Sequence, residues 1–434
     1  MAFRFVHTGD LHLDSPFVGL TTEAPASVVD TLRDSTISAW RNIVELTLAQ
    51  EADFLLVAGD VFERANRTLR GQLVFREGLA RLADAGIASL VVTGNHDPLD
   101  GWEPSVTWPD LAHRFPAGEV TSRPVTRGGL EIARVHGISY HQRDITENLA
   151  RRFKRDAGET FAIGLLHANV GGEEGHANYA PCSLADLRDS GMDYWALGHI
   201  HAHRVLSTAD PVIVYCGNPQ GRDPGEAEPR GCYVVDVDDA GRIDPRFEAA
   251  DVVRWQLLEV PVDSLATEEA LIGAVIEVVG KAQESAGRSI VARVRLSGRG
   301  PLHGSLTRSG VLEDVLAAAR EGLGSSEPFA WIESLRDGTR PDIDLDARRE
   351  ADDFLGDLLR RLGDTREQLT SAGAAAGAAP PGSVRAELES VIDELYANGR
   401  ARKYLRDARP AGAELVRALD EAEPTLVDRL TVED

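Results

Sequence analysis

The chain has 434 residues, of which 43% are hydrophobic, and a formal net charge of −24. That length exceeds one ordinary core and implies two or three domains, while the charge excludes nucleic-acid binding through a broad basic surface. No apolar run approaches a membrane span, and the three cysteines lack metal-ligand spacing, so they read as buried small residues in a reducing, cytoplasmic setting.

Taken in chain order, the apolar run Phe3–His7 predicts a strand close to Met1, with no signal-peptide pattern before it. It leads into Asp10-Leu11-His12. An amphipathic helix is predicted over Ser27–Gln50, then a strand over Phe54–Ala58 that ends at Gly59-Asp60. A second helix near Leu69–Ala85 precedes a strand over Ser89–Thr93, which runs into Gly94-Asn95-His96-Asp97. This alternation is βαβ grammar. Two later strands, Phe161–Leu166 and Tyr194–Leu197, end at His167 and at Gly198-His199-Ile200-His201. The runs Val212–Tyr215 and Cys232–Val237 look antiparallel. A layered α/β/β/α sandwich over residues 1–248 accommodates these elements, and ligand sites in such sheets form beyond the carboxyl ends of the strands. All five polar clusters fall there.

Residues 251–338 predict a separate β-α-β-α-β unit with strands Trp255–Val260, Ile290–Leu296 and Phe329–Leu335 and helices Glu268–Ala286 and Val311–Leu323. Residues 342–434 read as a helical region. Phe354, Leu355, Leu358, Leu359 and Leu362 form one apolar helical stripe, and Val384, Leu388, Val391, Ile392 and Leu395 form another. A low-complexity stretch of small residues, 371–382, reads as a flexible linker between them.

The five clusters carry side chains suited to hard divalent ions. A dinuclear site needs a bridging carboxylate, terminal ligands and open positions for water and substrate. Asp60, a short carboxylate on the Gly59 turn, is the natural bridge. Asp10 and His12, two apart on an extended segment, project the same way and can chelate one ion. Asn95 suits the second ion, His199 and His201 can serve one ion each, and His167 completes the set. Carboxylate, imidazole and amide donors without thiolate favour two Mn2+ ions, with Zn2+, Fe or Mg2+ also accommodated. Two such ions with two carboxylates and a hydroxide leave a local charge of about +1, able to meet a phosphodiester on an acidic protein. His96 is spaced to point past the metals, where it can protonate the leaving oxygen, with Asp97 as the expected partner of its imidazolium. His7, His136 and His141 read as structural or surface histidines, His176 as a loop histidine, and His203 as a residue that can touch substrate phosphate. The basic run Arg151-Arg152-Phe153-Lys154-Arg155 reads as a solvated face.

With these motifs in place, residues 1–240 resemble the calcineurin-like metallophosphoesterases, and within them the SbcD-type DNA-repair nucleases. The stretches at 10–17 (DLHLDSPF), 179–184 (YAPCSL) and 217–222 (GNPQGR) look most like the YhaO-type branch. The resemblance implies a four-layer metallophosphoesterase sandwich with a small α+β capping domain and a helical C-terminal region. It implies one ion on Asp10, His12, Asp60 and His201, a second on Asp60, Asn95, His167 and His199, and a catalytic His96 backed by Asp97. It makes residues 251–338 a cap beside the active site, with Arg293, Arg295 and Arg299 as DNA-phosphate contacts. It further implies an SbcC-like coiled-coil ATPase gripped by the C-terminal helices, and dimerisation through helices of the first domain. One departure stands out: many of these nucleases carry a histidine three residues after the bridging aspartate, where this chain has Glu63.

The expected activity is therefore a cytoplasmic Mn2+-dependent DNA phosphodiesterase or exonuclease of DNA repair that uses a two-metal-activated water. The alternatives are a phosphodiesterase or phosphatase for a small phosphorylated substrate, and a non-catalytic scaffold for the ATPase.

Overall fold

A computed structural model describes residues 1–15, 17, 24–63, 68–100, 106–172, 177–324, 327–372, 384–398 and 413–431. His176 and most of the linker at 371–382 lie outside the described residues. The chain forms two compact units: the first comprises residues 1–258, 275–294 and 316–335, the second residues 259–274, 295–315 and 336–434.

The first unit begins with β1 (Phe3–Thr8), α1 (Ala26–Ala49), β2 (Phe54–Ala58), α2 (Leu69–Asp84), β3 (Ala88–Val92) and the short β4 (Ala112–Arg114). A second sheet follows from β5 (Thr121–Arg127), β6 (Leu130–Gly137), β7 (Ala162–His167), β8 (Tyr194–Gly198), β9 (Arg204–Ser207) and β10 (Val212–Tyr215), with α3 (Leu184–Arg188) between β7 and β8. The chain then returns to the first sheet through β11 (Gly231–Val237) and β12 (Ile243–Ala249). The two six-stranded sheets run β12-β11-β1-β2-β3-β4 and β5-β6-β7-β8-β10-β9. Strands β1, β2, β3 and β4 are mutually parallel, and β11 returns antiparallel to β1. In the second sheet β6, β7, β8 and β10 are parallel, so the expectation that Val212–Tyr215 is antiparallel fails on its β8 side and holds only against β9. The reason is local: the excursion of residues 199–211 forms the edge strand β9 itself, and β10 enters in the direction of β8.

Alternation along single strands explains the layering. In β2, Phe54, Leu56 and Ala58 enter the core between the sheets, while Leu55 and Val57 face the helical side with Trp40, Ile43, Phe75 and Leu79 of α1 and α2. A strand buried on both faces needs apolar residues at every position, which is why this run lacks the polar alternation of a surface strand. Ring stacking locks the centre, with Phe5 and Phe54 parallel at 4.9 Å and Phe3 edge-on to Phe161 at 5.1 Å. On the far side of the second sheet, Trp195, Leu197, Ile213 and Tyr215 pack with Leu187 of α3 and Phe153. Sheets inside, helices and short turns outside: this is the α/β/β/α sandwich.

Beyond it lie β13 (Val253–Pro261), α4 (Glu268–Ala286), β14 (Ser289–Ser297), α5 (His303–Leu306), α6 (Val311–Leu323) and β15 (Ala330–Asp337). Their three-stranded sheet has the order β13-β14-β15. Within the first unit, Val253, Trp255, Val291, Phe329 and Trp331 join Val28 and Leu32 of α1 in one apolar cluster.

The second unit carries α7 (Leu345–Glu350), α8 (Phe354–Ala372), α9 (Val384–Ala397) and α10 (Ala413–Thr431). The α8 stripe is partly consumed inside this unit, since Leu355 and Leu359 pack on Val427 of α10. Buried Glu423 of α10 accepts from Arg349 at 2.7 Å and from Arg366 at 2.8 Å. On α9, in contrast, Val391 and Leu395 are exposed.

Candidate metal centre

All five polar clusters sit at the carboxyl ends of β1, β2, β3, β7 and β8. The turns that place them are strained. Asp10, His12, Asp60 and His199 have φ of 49°, 42°, 51° and 101°, in a region that costs a non-glycine residue about 1–3 kcal/mol each. Such conformations persist where surrounding structure overdetermines them and are concentrated at functional sites. Two glycines make room. A Cβ at Gly94 would fall on the Asp60 carboxylate and lie 2.7 Å from the His167 ring, and one at Gly198 would strike the Ala58 carbonyl.

Three of the four imidazoles are hydrogen-bonded at one ring nitrogen and turned inward at the other, and the fourth, His12, has a carboxylate beside its outer nitrogen. His167 Nδ1 donates to the Ala58 carbonyl at 2.9 Å, and its Nε2 lies 2.9 Å from Asn95 Oδ1 and 3.3 Å from Asp60 Oδ2. His199 has the opposite tautomer: Nε2 donates to the Ala177 carbonyl at 2.8 Å, and Nδ1 lies 3.1 Å from Asn95 Oδ1. His201 Nδ1 donates to the Glu226 carboxylate. His12 Nδ1 stands 3.2 Å from Glu63 Oε2, an ion-pair contact outside hydrogen-bond geometry. A carbonyl or carboxylate acceptor on one nitrogen is the arrangement that orients an imidazole as a metal ligand and fixes its tautomer.

The inward nitrogens and carboxylates then converge. His12 Nε2 and His201 Nε2 face each other at 3.2 Å, His12 Nε2 is 4.0 Å from Asp60 Oδ2, and His201 Nε2 is 4.0 Å from Asp10 Oδ1. With His201 Nδ1 committed to the Glu226 carboxylate, His201 Nε2 presents a lone pair to His12 Nε2, and either a proton or a cation must stand between the two nitrogens. Asp10 and Asp60, both buried, lie with His167 in a group whose ligand atoms are all within 4.8 Å. Two buried carboxylates at that separation need positive charge to offset desolvation and mutual repulsion. The donor set therefore fits a pair of divalent cations bridged by Asp60. Asp10, His12 and His201 would hold one, and Asn95, His167 and His199 the other.

The electrostatics agree. Burial raises the Asp10 carboxyl above its ordinary value. Burial alone would raise Asp60 too, but the His167 imidazole holds it well below the carboxylate range. His167 itself, despite burial, is pushed up to about 9 by Asp60, so a proton supplies positive charge at this point. His12 is lowered to about 3 by burial and by the Arg222 guanidinium, which keeps its ring neutral and fit to ligate. Burial would also lower His96, but the Glu63 hydrogen bond outweighs it and raises His96 above its ordinary value.

Asp97 requires a correction. Its carboxylate does not support the His96 ring; it accepts the backbone N–H groups of Val61 at 2.8 Å and Gly94 at 2.7 Å, with Phe62 at 3.4 Å. It ties the turn after β2 to the turn after β3 and so positions Asp60 and Asn95. Burial and the Asp60 charge push it up to about 6. The partner of His96 is Glu63, whose Oε1 lies 2.5 Å from Nδ1, while the His96 backbone N–H donates to Asp60 Oδ1 at 2.8 Å. Glu63 was visible in the sequence only as a departure from the family pattern. Glu226, 25 residues beyond His201 in the chain, carried no sequence signal at all.

Two of the three arginines expected to contact DNA are held by carboxylates. Arg293 is engaged by Glu333 at 2.7 Å and lies over the Trp255 ring, and Arg299 pairs with Asp428 at 3.0 Å. Neither guanidinium is left free as expected, because each lies beside a carboxylate that sequence spacing could not place. Arg295 is exposed. His203 stacks on Phe247 with ring centroids 3.7 Å apart and meets the Tyr233 hydroxyl at 3.3 Å. In the basic run, Arg151, Arg152 and Arg155 pair with Asp186, Glu147 and Asp193. His7 meets the Tyr194 hydroxyl at 3.0 Å and His136 pairs with Glu159 at 3.0 Å, both structural roles. The cysteines are free and buried, and burial pushes the Cys182 thiol up to about 12, which makes it a poor nucleophile. Among the described residues no helix is long and apolar enough to cross a membrane.

Comparison with known proteins agrees with this geometry. The family of calcineurin-like phosphoesterases matches residues 3–203, and the middle domain of metallophosphoesterase YhaO matches residues 255–340. The protein named uncharacterized metallophosphoesterase YhaO, of Bacillus subtilis (strain 168), is 36% identical over 359 residues, which cover 82% of this chain and 86% of that one. The DNA double-strand break repair protein Mre11 of Haloferax volcanii is 26% identical over 54% of this chain and 49% of its own length. A subunit of the nuclease SbcCD of Bacillus subtilis is 24% identical over 52% of this chain and 63% of its own length. The chain thus spans about half of that Mre11 and under two thirds of the SbcCD protein. It belongs to the calcineurin-like metallophosphoesterases, on the YhaO side of the family, and is a metal-dependent phosphoesterase.

Proposed function

We propose that the chain is a Mn2+-dependent DNA phosphodiesterase, an exonuclease or end-processing nuclease of DNA repair. The observation that carries this reading is the closed set of inward donors around Asp60, with His167, His199 and His201 anchored at their other nitrogens and His12 beside Glu63. A divalent pair held by these residues would supply an activated water and the charge to hold a phosphate anion. The protein's own groups do the rest. Asp60 fixes the His96 backbone, Glu63 orients the His96 ring, and His96 delivers a proton to the leaving oxygen. Choosing DNA as substrate rests on the likeness to proteins named as DNA-repair factors and a nuclease, and on the residues after 250, which a small substrate would not need. Residues 251–338 would then act as a cap.

A phosphodiesterase for a small substrate is the second reading. It gains weight from Arg293 and Arg299, which are paired with carboxylates. End-labelled duplex DNA, bis(p-nitrophenyl) phosphate and nucleotide monoesters, each assayed in Mn2+ and after chelation, separate the two. Cleavage of DNA that is abolished by chelation supports the first reading; turnover of the small esters alone replaces it with the second.

The partner we propose is an SbcC-like coiled-coil ATPase, met by α9, whose Val391 and Leu395 are exposed at helical spacing. Charge at these two positions (Val391→Asp with Leu395→Asp) should abolish co-purification with the ATPase, and unchanged co-purification would remove α9 from the interface. Free, buried cysteines agree with a reducing cytoplasm.

A further inference from the structure

The motif Gly217-Asn218-Pro219-Gln220-Gly221-Arg222 is not used by the metal ligands, yet it is built rigidly against them. Asn218 N–H donates to the His201 carbonyl at 3.1 Å, and Arg230 reaches the same carbonyl and Asn218 Oδ1. Gln220 is buried, with its Oε1 accepting Val252 N–H at 2.8 Å and its Nε2 donating to the Val253 carbonyl at 2.6 Å. Arg222 N–H donates to Glu226 Oε2 at 2.6 Å, and the other Glu226 oxygen anchors His201. One carboxylate therefore fixes both a metal-ligand candidate and the backbone of Arg222.

What this scaffold delivers is an under-satisfied guanidinium. The Arg222 side chain is 17% exposed, and its ion pair, Nη1 to Glu63 Oε2, is loose at 3.7 Å. Its Nε is buried with no hydrogen-bond partner. A charge-assisted bond would be near 2.8 Å, and a buried donor left unmade is costly. Arginines used for structure nearby are saturated. Arg254 grips Asp251 with Nε at 2.8 Å and Nη2 at 3.0 Å, and Arg230 spreads its donors over His201, Asn218, Glu226 and Ala227. Arg222 differs, and it differs at the one place where an anion is expected. Its Glu63 partner also touches His12 and His96, so the guanidinium stands beside both the metal ligands and the proton donor.

We infer that Arg222 binds a non-bridging oxygen of the scissile phosphate, with Glu63 as the tether that keeps its guanidinium extended toward the metal cluster before substrate arrives. The planar fork of a guanidinium matches two phosphate oxygens. This assignment rests on the phosphoesterase chemistry of the same site and deepens it by naming the residue that discriminates phosphate anions from neutral esters.

The test uses the full chain loaded with Mn2+, as wild type, Arg222→Ala and Arg222→Lys. Mn2+ stoichiometry is measured by isothermal titration, the diester reaction by KM and kcat on bis(p-nitrophenyl) phosphate, and anion binding by the inhibition or binding constant of orthophosphate. Arg222→Ala should keep its Mn2+ stoichiometry, while KM rises and orthophosphate affinity falls by about 10- to 100-fold. Arg222→Lys should retain part of the affinity, and millimolar guanidinium ion should partly rescue Arg222→Ala. Unchanged orthophosphate affinity in Arg222→Ala would overturn the inference, as would loss of Mn2+ in both variants, which would make Arg222 a structural brace. A wild type inactive on the diester would overturn the phosphodiesterase reading instead; orthophosphate affinity would still decide the role of Arg222.

Discussion

Replacement of Asp60 by Asn isolates the charge of the proposed bridge from its shape. The amide keeps an oxygen for the His96 N–H, now 2.8 Å from Asp60 Oδ1. It removes the negative charge that lies 3.3 Å from His167 Nε2 and 4.0 Å from His12 Nε2, between the two halves of the donor set. A cation that binds only the folded chain stabilises it by about 2.7 kcal/mol at 100 times its Kd and about 4.1 kcal/mol at 1,000 times. For a unit of this size each kcal/mol shifts Tm by roughly 2–4 °C, so saturating Mn2+ should raise the Tm of the stripped wild type by roughly 5–15 °C. Asp60→Asn should gain less than a third of that shift, because neither half-site retains a shared carboxylate. Differential scanning calorimetry of EDTA-stripped protein, with and without MnCl2, reads this directly and needs no substrate. An equal Mn2+ shift in wild type and Asp60→Asn would refute the bridging role.

Three further outcomes follow from the same geometry. Glu226→Gln loses the carboxylate that orients His201, and Mn2+ affinity should fall about 10- to 100-fold by titration. His96→Ala should keep both Mn2+ equivalents and lose most turnover on a diester, since its ring contacts Glu63 and is not among the inward donors; unchanged kcat would exclude it as the proton donor. His7 is buried and neutral, its value lowered to about 3 from 6.5 by burial. Below pH 6.5 the unfolded chain takes up a proton that the folded chain refuses, so stability falls toward pH 3 by up to about 1.4 kcal/mol per pH unit. His7→Phe, although weakened at pH 7 by stranding the Tyr194 hydroxyl, should decline less steeply over that window in urea titrations; a parallel decline would refute the assignment.

Much of the candidate site was legible because its polar side chains sit at strand ends, and strand ends are marked by a switch from apolar run to Gly, Asp, Asn or His. Asp10, His12, Asp60, Asn95, His167, His199 and His201 all carried that mark, and the fold brings their side chains together. What supports them did not. The acceptors of His167, His199 and His201 are the carbonyls of Ala58 and Ala177 and the carboxylate of Glu226, and the Glu63 carboxylate lies beside His12. Backbone carbonyls leave no trace in residue identity, and a glutamate 25 residues from its histidine partner has no spacing rule. Asp97 shows the opposite error. Adjacency to His96 suggested a pair, but the turn aims its carboxylate at three backbone N–H groups. The arginines of β14 show why charge placement is the weakest sequence inference. Arg293 on a strand looks available until the fold sets Glu333 beside it.

Sheet order was readable in part for the same reason. Runs such as Phe54–Ala58, apolar at every position, announce a strand buried on both faces. The direction of β10 depended on the excursion through β9, which short polar residues do not encode. In the C-terminal region the apolar stripe of α8 was clear, but its partner Val427 lies on α10, a helix whose own pattern is diluted by charge.

The most direct measurement is anomalous scattering from crystals of the chain soaked in Mn2+. The account predicts two peaks about 3.5–4 Å apart on either side of the Asp60 carboxylate, one against Asp10, His12 and His201 and the other against Asn95, His167 and His199. A single peak away from Asp60, or none among these seven residues, would contradict it.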